Sequence, residues 1–548
     1  MSDIHIGRRG LLRATGGAAV IAASGGLAAC GDGAGTGEAQ SLSETGVELP
    51  SYIPTELAAP DLAATEDGVL AGYYRFPRDL VNAFEAPPAD GAGTVSILTN
   101  MFNPVPPGMG DNAYWQAVND SVGAELDITM TPAADYLAKL STVIASGDLP
   151  DMMLIASTLA NRSEVLSNLC ADLSGHLSGD KVADYPFLAN FPTDSWLPSV
   201  YNGGIYGIPN PRAIVGTVMF ARSDLFAAKS LNLAPGSFDE LVEIATELTD
   251  PGANRWAFGN PRGLITYVAN MLGVPNVWRE EGGKFTSEFE TEERREAVAR
   301  VAELVEAGLF HPDAASENIN LRDLLGNGTI AIGPDGYAAW DLIADTYGIE
   351  IAGVPAPSYD GGGEGVQRAG SASFGMIAFK QADDDRIAQL LSVANWLAAP
   401  IGSNEYMLRK FGVEGRHFNW EGDTPVKTEL GSNETTVPFE YVTDATPILG
   451  PREQARVDAQ RAYQETVISR VVRDPSIGFY SDTAINKAGE LSDIVKAAEL
   501  DIVSGRKGIE AWDEAVSAWR AAGGDDIRAE YEAAVAETEA SPSESAGN

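Results

Sequence analysis

The chain has 548 residues, of which 44% are hydrophobic, and this is enough for two or three globular domains with large cores. Its 78 acidic and 37 basic side chains leave a formal net charge of −41. That charge argues strongly against nucleic acid as a partner, because affinity for phosphate depends on basic side chains, and against direct docking on anionic lipid. No apolar run after residue 30 is long enough to span a bilayer, so the rest of the chain is expected to be soluble.

The first thirty residues have the layout of an export signal. The pair Arg8-Arg9 precedes a weakly hydrophobic stretch, residues 11–29, which is rich in Gly and Ala. The pair resembles a twin-arginine signal, and Leu27-Ala28-Ala29-Cys30 resembles a lipobox, which implies a lipid on Cys30. The alternative is an uncleaved transmembrane anchor, which Arg13, Thr15 and four glycines in the stretch disfavour.

The cysteines and histidines point to no metal or redox chemistry. With Cys30 lipidated, Cys170 has no partner for an intramolecular disulfide, and its leucine-rich surroundings predict a buried, inert thiol. The four histidines, at positions 5, 176, 311 and 417, are scattered without ligand spacing, which argues against a structural zinc site. No hydrolase elbow, phosphate loop or metalloprotease motif is present, so no cofactor is expected.

The first half of the body predicts a parallel sheet. Residues 94–99 alternate as a strand, 114–122 form a helix, 126–129 form a second strand, a helix begins at Tyr136, and 152–155 form a third strand. Gly147 is expected to end the second helix. The resulting β-α-β-α-β order is typical of a parallel sheet with helices on its faces.

A second α/β unit opens near Arg212. Strands are predicted at 215–220, 329–332, 350–354 and 374–379, and helices at 292–306 and 384–397. Ser237 and Glu240 form a predicted capping box at the start of a further helix. Residues 358–370 are glycine-rich and predicted to form a loop, and the chain beyond Pro451 is predicted to be helical.

Several short motifs occur together in one order along the chain. They are Gly147-Asp148-Leu149-Pro150-Asp151 after a helix and before a strand, Gly204-Ile205-Tyr206-Gly207-Ile208-Pro209, Phe220-Ala221-Arg222-Ser223-Asp224-Leu225, and Phe411-Gly412-Val413-Glu414-Gly415-Arg416-His417-Phe418. In this order they resemble the extracellular solute-binding proteins of bacterial ABC importers (family 1), above all the carbohydrate-binding group with maltose-, alginate- and aldouronate-binding lipoproteins. The resemblance covers roughly residues 48–530.

The resemblance implies an α/β, two-lobed, periplasmic-binding-protein-like fold of type II, in which each lobe is a mainly parallel sheet flanked by helices, with a helical C-terminal extension. The expected segments are a signal peptide at 1–29, a flexible tether at 30–46, an irregular N-terminal arm at 47–92, the first part of lobe 1 at 93–210, the first part of lobe 2 at 211–357, a return to lobe 1 with a hinge crossing at 371–450, C-terminal helices at 451–535 and a disordered tail at 536–548.

The sequence departs from the family in one loop. Relatives often carry an Asp- and Asn-rich calcium loop after the capped helix, whereas this chain has Asp250-Pro251-Gly252-Ala253-Asn254-Arg255-Trp256. The alternating oxygen ligands of a calcium loop are missing and Arg255 adds a positive charge, so the loop is expected to hold no metal.

Ligand contacts are expected in the loops that follow strands, because α/β sheets bind ligands at the carboxyl ends of their strands. The candidates are Phe102, Asn103, Ser157, Thr158, Asn260, Arg262, Asp335, Tyr337 and Trp340. The stretch from Gly333 to Trp340 resembles the family's G-P-W-x-W stretch, which implies that Tyr337 stacks on a sugar ring. Trp115 and Trp396 are predicted to be core residues, while Trp278 and His417 fit either role.

These features predict a monomeric, non-enzymatic lipoprotein on the outer face of the membrane, which binds a carbohydrate and passes it to an ABC permease. An oligosaccharide is the expected ligand, and the overall charge favours neutral or cationic ligands unless the local cleft charge decides otherwise. One alternative is a protein of the same fold for a peptide or polyamine. The other is an exported glycosidase with a carboxylate pair, which no motif supports.

Overall fold

A computed structural model of the chain describes residues 47–156, 159, 161–316, 319–477, 479 and 481–540, all within one compact unit that spans 38–548. The predicted signal peptide, Cys30, the tether, Ser157, Thr158 and residues 541–548 lie outside the described residues. Within the described part, no helix combines the length and the apolar character that a membrane span requires.

Within the described residues, the first sheet has five strands in the spatial order Glu125–Pro132, Thr94–Met101, Met152–Ile155, Ser373–Phe379 and Ile208–Pro211. The first three pair in parallel, as predicted, and Ser373–Phe379 runs antiparallel to both of its neighbours. All strands of this sheet but one therefore point the same way, so their carboxyl ends meet at one edge.

Local signals explain the helices that cover this sheet. Helix Ala113–Val122 begins where the Asn112 side chain accepts a hydrogen bond from the Trp115 amide at 2.9 Å. Helix Tyr136–Ser146 ends at Gly147, which has the positive φ of 73° that favours glycine, as predicted. Trp115 and, from helix Asp384–Leu397, Trp396 are buried in the core of this lobe, also as predicted.

The second sheet has, among the described residues, four strands in the order Ile351–Gly353, Thr217–Arg222, Ile330–Gly336 and Trp256–Phe258. Thr217–Arg222 is antiparallel to both neighbours, and Ile330–Gly336 is parallel to Trp256–Phe258. This sheet is therefore mixed, with two antiparallel pairings and one parallel pairing. Thr217–Arg222, the strand that follows the crossing from the first lobe, is the one that runs opposite to the others.

The capped helix of the second lobe spans Phe238–Leu248. The Ser237 hydroxyl accepts from the Glu240 amide at 3.2 Å, as predicted. The return bond differs from the expected capping box, because the Glu240 carboxylate accepts from the Gly236 amide at 2.8 Å and not from Ser237. The Ser237 cap is therefore present, while the Glu240 side chain binds the backbone of Gly236, the residue before Ser237.

The C-terminal helices that the sequence predicts pack on the second lobe. Helix Gln454–Val467 packs with Phe220, Trp340 and Ile351 through Val457 and Tyr463. The later helices, Asp482–Val503, Glu510–Trp519 and Asp525–Ala540, cover the other part of the lobe's core with apolar side chains. The last helix continues to Ala540, beyond residue 536, where the sequence predicts the tail to begin.

The arm, residues 47–92, has no long helix or strand and lies along both lobes. Its Ile53 amide donates to the Ala189 carbonyl at 2.7 Å in the first lobe, and its Leu70 amide donates to the Gln464 side chain at 2.9 Å in the second. Tyr73 and Phe76 are buried, whereas Tyr52 is half exposed.

Further α-helices and two-stranded ribbons connect these elements. The helices are Arg162–Leu169, Ser174–Leu177, Ser223–Ala228, Pro261–Met271, Glu292–Glu306, Leu321–Gly326, Ala339–Tyr347, Asn404–Phe411 and Glu429–Glu434. The ribbons pair Val200–Tyr201 with Gly204–Ile205, Trp278–Glu281 with Lys284–Ser287, Gln367–Arg368 with Val471–Val472, and Phe418–Glu421 with Thr424–Lys427.

Candidate functional site

The segments that connect the two sheets lie side by side. Residues 212–216 lead from the first sheet to the second and residues 354–372 lead back, and the Arg212 amide donates to the Ala372 carbonyl at 2.9 Å. Gly216 and Gly370 touch, because a Cβ placed on Gly216 would lie 2.7 Å from the Gly370 Cα. Two glycines are therefore needed where the crossing segments meet.

Three aromatic rings form a cluster at the carboxyl edge of the first sheet, which we call the aromatic cluster: Phe102, Phe374 and Tyr441. The Tyr441 centroid lies 5.2 Å from each phenylalanine centroid, and the two phenylalanines are 6.3 Å apart. Phe102 is 57% exposed and Phe374 is 38% exposed. Clustered aromatic rings that stay open to solvent are unusual and mark a surface suited to an apolar or mixed ligand face.

Each ring of the aromatic cluster is placed by a different element. Phe102 directly follows strand Thr94–Met101. Phe374 lies one residue into strand Ser373–Phe379, which begins at the same edge because it runs antiparallel to Met152–Ile155. Tyr441 closes the turn Phe439–Tyr441, and its carbonyl accepts from the Thr99 hydroxyl at 3.3 Å.

Polar groups surround the aromatic cluster. The Arg212 guanidinium carbon lies 5.0 Å from the Phe374 centroid. Two hydrogen bonds hold Asn210 in place. Its backbone amide donates to Ser373 Oγ at 2.9 Å, and its side-chain Nδ2 donates to the Glu440 backbone carbonyl. Among the described residues, the buried Oδ1 atoms of Asn210 and Asn100 have no hydrogen-bond partner. A buried acceptor without a partner is unfavourable, so these atoms are available to a bound molecule.

The second lobe contributes a charged pair on the opposite side. Asp335 lies near the end of strand Ile330–Gly336, opposite Val218 at the beginning of the strand that leaves the crossing. Its carboxylate is bound by Arg322, with Nε 2.6 Å from Oδ2. Burial and the Glu440 charge raise the pKa of Tyr441 to about 12, while the positive charges of Arg212 and Arg322 act against them. Arg322 of the second lobe and Arg212 of the crossing segment thus both act on the Tyr441 phenol, so side chains of both lobes lie near the aromatic cluster.

Of the predicted contacts, Phe102 belongs to the aromatic cluster, Asp335 is paired with Arg322, and Asn103 is exposed next to Phe102 in the chain. Asn260 instead caps helix Pro261–Met271, where its side chain accepts from the Gly263 amide at 3.0 Å. Arg262 pairs with the buried Glu499, Nε to Oε2 2.8 Å, and this bond fastens a C-terminal helix to the lobe. Ser157 and Thr158 lie outside the described residues.

The expectation that Tyr337 and Trp340 contact a ligand is corrected by their burial. Tyr337 is 8% and Trp340 2% exposed. The Trp340 ring centroid lies 5.3 Å from that of Phe220 and 5.8 Å from that of Tyr463. Helix Gln454–Val467 brings Tyr463 over this position and closes it to a sugar ring. Neither side chain presents a free aromatic face.

Trp278 and His417, for which the sequence allows a core role or a ligand contact, are both buried. Trp278 packs against Trp519 and Tyr531 in the core of the second lobe. His417 Nε2 lies 3.0 Å from a Glu434 carboxylate oxygen. Both residues therefore have structural roles. Cys170 is buried as predicted, and burial raises the pKa of its thiol to about 12, far from a reactive thiolate.

Three residues in or beside the aromatic cluster are not among the sequence-based candidates: Arg212, Phe374 and Tyr441. Phe374 begins a predicted strand, and its place at the same edge as Phe102 follows only if that strand is known to be antiparallel. Tyr441 lies in a turn without a periodic pattern. Arg212 stands where the second unit opens, so its position at the crossing was the one available signal.

In the loop that departs from the calcium pattern, the Asp250 carboxylate binds a backbone amide of the same loop. The Asp250 side chain accepts from the Ala253 amide at 3.2 Å, and the Asp250 and Arg255 backbones bond to each other. Within the described part of the chain, no group of three or more His, Cys, Asp or Glu side chains is arranged to hold a metal ion. Absence of calcium from this loop stays a prediction.

A cavity of about 320 Å³ lies between the arm and the crossing segments, lined among others by Tyr52, Tyr73, Asn190, Arg212 and Thr446. No ring of the aromatic cluster lines it. The cavity is therefore separate from the cluster, and Arg212 borders both.

Comparisons with known proteins agree with this architecture. The family described as bacterial extracellular solute-binding protein matches residues 107–402. The polygalacturonan/rhamnogalacturonan-binding protein YtcQ of Bacillus subtilis is 25% identical over 495 residues, which cover 85% of this chain and 96% of that protein. Lipoprotein LipO of the same organism is 23% identical over 467 residues, covering 79% of this chain and 90% of LipO.

Among solved structures, the N-glycan transport solute binding protein NgtS from Streptococcus pneumoniae is similar, with a TM-score of 0.61. The sequences are 15% identical, and the match covers 81% of this chain and 98% of that chain. At this identity the likeness shows the fold alone. It agrees with the two α/β sheets and the crossing segments described above.

Proposed function

The chain belongs to the family of bacterial extracellular solute-binding proteins, and from this premise we propose that it captures an oligosaccharide in its interlobe cleft and delivers it to an ABC importer. The observation that carries the proposal is the aromatic cluster at the carboxyl edge of the first sheet, where Phe102 and Phe374 stay exposed. Aromatic faces pack against the C–H surfaces of sugars, and nearby polar groups bind hydroxyls.

Closure of the lobes follows from the same arrangement. The aromatic cluster belongs to the first lobe, and the Arg322–Asp335 pair belongs to the second. A ligand that contacts both sides stabilises the closed arrangement only as far as it binds that arrangement more tightly than the open one. A saccharide long enough to bridge the two sides meets this requirement, and a permease then distinguishes the closed, loaded protein.

Capture without turnover is the expected mode of action. The family consists of binding proteins, and YtcQ is described as a polygalacturonan- and rhamnogalacturonan-binding protein. Incubation of purified protein with oligosaccharides should therefore leave them intact, as judged by chromatography. Released shorter sugars would contradict this mode and indicate a glycosidase.

Attachment to the outer face of the membrane through a lipid on Cys30 is part of the proposal. The supporting observations are the lipobox-like Leu27-Ala28-Ala29-Cys30 and the similarity to Lipoprotein LipO. A Cys30→Ala variant should leave ligand affinity unchanged and move the protein from the membrane fraction to the medium. A variant that stays in the membrane fraction would show that another segment is the anchor.

A thermal-shift screen against neutral and acidic mono- and oligosaccharides tests the binding function. A ligand that binds only the folded state raises the melting temperature, by an amount that grows with its concentration over Kd. At least one oligosaccharide should raise the Tm, and titration calorimetry should give a stoichiometry of about one. No shift with any saccharide, together with a shift by peptides or polyamines, would overturn the carbohydrate assignment.

A further inference from the structure

Arg212 is a half-buried cation without an ion pair. Among the described residues, no carboxylate lies within ion-pair distance of its guanidinium group, and its Nη1 donates to the Pro211 carbonyl at 3.2 Å. The chain carries 78 acidic against 37 basic side chains, so carboxylates are abundant as partners elsewhere. Burial of a cation is unfavourable unless it is paired, and burial lowers the pKa of Arg212.

The acidic groups around Arg212 do not fully compensate it. The groups whose charges act on Arg212 are Asp444, Tyr441 and Glu440, and the cavity that Arg212 borders is also lined by Glu56, Glu66, Asp67 and Asp194. Asp444 is already bound by Arg409 Nη1 at 2.6 Å and by Lys410 Nζ at 2.7 Å. Tyr441 is neutral at physiological pH, since its pKa is about 12. Burial raises the pKa of Glu440.

Arg409 and Lys410 are both paired with Asp444, whereas Arg212 has no ion pair among the described residues. On the second-lobe side, Arg322 and Asp335 neutralise each other. The charges next to a bound ligand, and not the net charge of the chain, govern the choice of ligand.

Arg212 lies where a ligand on the aromatic cluster would meet it. Its guanidinium carbon is 5.0 Å from the Phe374 centroid, and the Phe102 and Phe374 rings are the exposed members of the cluster. A sugar ring stacked on these phenylalanines has its substituents at the ring edge, beside the guanidinium group. The planar fork of arginine matches the two oxygens of a carboxylate.

We infer that the ligand is an acidic oligosaccharide, whose uronate carboxylate binds Arg212 while its sugar ring packs on Phe102 and Phe374. The inference rests on the proposed function and specifies its substrate class. It also decides against the neutral or cationic ligand that the net charge alone favours.

The first test uses the unchanged protein. Trisaccharides of galacturonate, mannuronate and glucuronate are titrated by calorimetry beside the same trisaccharides with each carboxyl reduced to an alcohol. At least one uronate should bind about 10- to 100-fold more tightly than its reduced counterpart, as expected for a charge-assisted hydrogen bond. Equal or tighter binding of the reduced sugars would overturn the inference.

The second test uses Arg212→Gln with Arg78→Gln as its matched control. Arg78 also lies over an aromatic ring, 3.9 Å from the Trp420 centroid, and donates to the Gly422 carbonyl, but it belongs to the arm. Arg212→Gln should weaken uronate binding about 10- to 100-fold and leave the reduced sugar unaffected, while Arg78→Gln changes neither. An equal loss for both sugars in Arg212→Gln would show that Arg212 only positions Phe374 and would overturn the inference.

Folding of each variant is checked by its circular dichroism and Tm. If Arg212→Gln does not fold, Arg212→Lys takes its place, and it should retain a preference for the uronate that is weaker than in the unchanged protein. Loss of that preference without loss of neutral-sugar binding would support the inference, and an unchanged preference would overturn it. Binding of neutral sugars alone leaves the proposed function standing and refutes only the acidic ligand. Binding of no saccharide at all refutes both.

Discussion

The Arg322 guanidinium group donates to both oxygens of the Asp335 carboxylate, with Nε 2.6 Å from Oδ2 and Nη2 3.1 Å from Oδ1. Such a two-point bond fixes both side chains and leaves the second-lobe side of the cleft polar but neutral. On the facing side, Arg212 remains unpaired among the described residues. The two sides of the cleft therefore differ in charge, although each contains an arginine.

Removal of the most exposed ring should weaken binding without weakening the fold. Phe102→Ala should raise the Kd for the bound saccharide roughly tenfold, because a stacking face of about 1–2 kcal/mol is lost. Its Tm should change little, since the side chain is 57% exposed. Val105→Ala, in the same loop and 70% exposed, is the control and should bind normally. Equal loss in both variants would mean that the loop, and not the ring, matters.

Trp340 should behave as a core residue. Trp340→Ala is expected to lower the free energy of unfolding by about 3–5 kcal/mol, since it leaves a large cavity beside Phe220 and Tyr463. Leu342→Ala, on the same helix and 50% exposed, should be nearly neutral. Urea denaturation measures both. A Trp340→Ala protein of normal stability that no longer binds sugar would restore Trp340 as a ligand contact.

The buried carboxylate of Glu499 should be essential for the attachment of the C-terminal helices. Its oxygens lie 2.8 Å from Arg262 Nε and 2.6 Å from Arg294 Nη2. Glu499→Gln removes the counterion of Arg262 and leaves Arg294 with only Glu288, at 3.4 Å, so it should cost about 3–5 kcal/mol in the free energy of unfolding. Glu296→Gln, which breaks a surface pair with Arg300 one helical turn away, should cost less than about 0.5 kcal/mol. Similar losses in both variants would show that the buried network contributes no more than a surface pair.

Asp474 should make the stability depend on pH. Burial raises the pKa of its carboxyl from 3.8 to about 6, and Oδ1 accepts from the Ser476 amide at 2.9 Å and from its hydroxyl at 2.7 Å. Between these pKa values the folded state binds more protons than the unfolded state, so the contribution of Asp474 to stability falls as the pH rises from about 4 to about 6.

Asp474→Asn keeps the acceptor atom for both hydrogen bonds and removes the charge. The variant should be more stable than the unchanged protein by about 1–3 kcal/mol at neutral pH and equally stable near pH 4. Urea denaturation at the two pH values measures the difference. A gain of the same size at both values would show that a change other than ionisation is responsible.

The sequence predicts a site residue well only where a pattern within a few neighbouring residues determines its surroundings. Phe102 is found because it follows a strand whose alternation is visible in a few residues. Tyr337 and Trp340 also lie beside a predicted strand, but helix Gln454–Val467 buries them. No local pattern reveals which distant helix will cover a given face, so the same reasoning names an exposed side chain at Phe102 and buried ones at Tyr337 and Trp340.

Local patterns in the sequence predict the order of strands and helices, the caps at Ser237 and Gly147, and the buried tryptophans of the first lobe, because periodicity and capping act within a few residues. The contacts among Phe102, Phe374 and Tyr441, and the place of Arg212 beside them without a carboxylate partner among the described residues, follow from the tertiary packing alone. These side chains come from separate segments, and packing of the sheets and crossing segments sets their distances. Net charge is a sum over the whole chain, whereas a ligand meets only the charges within a few ångströms.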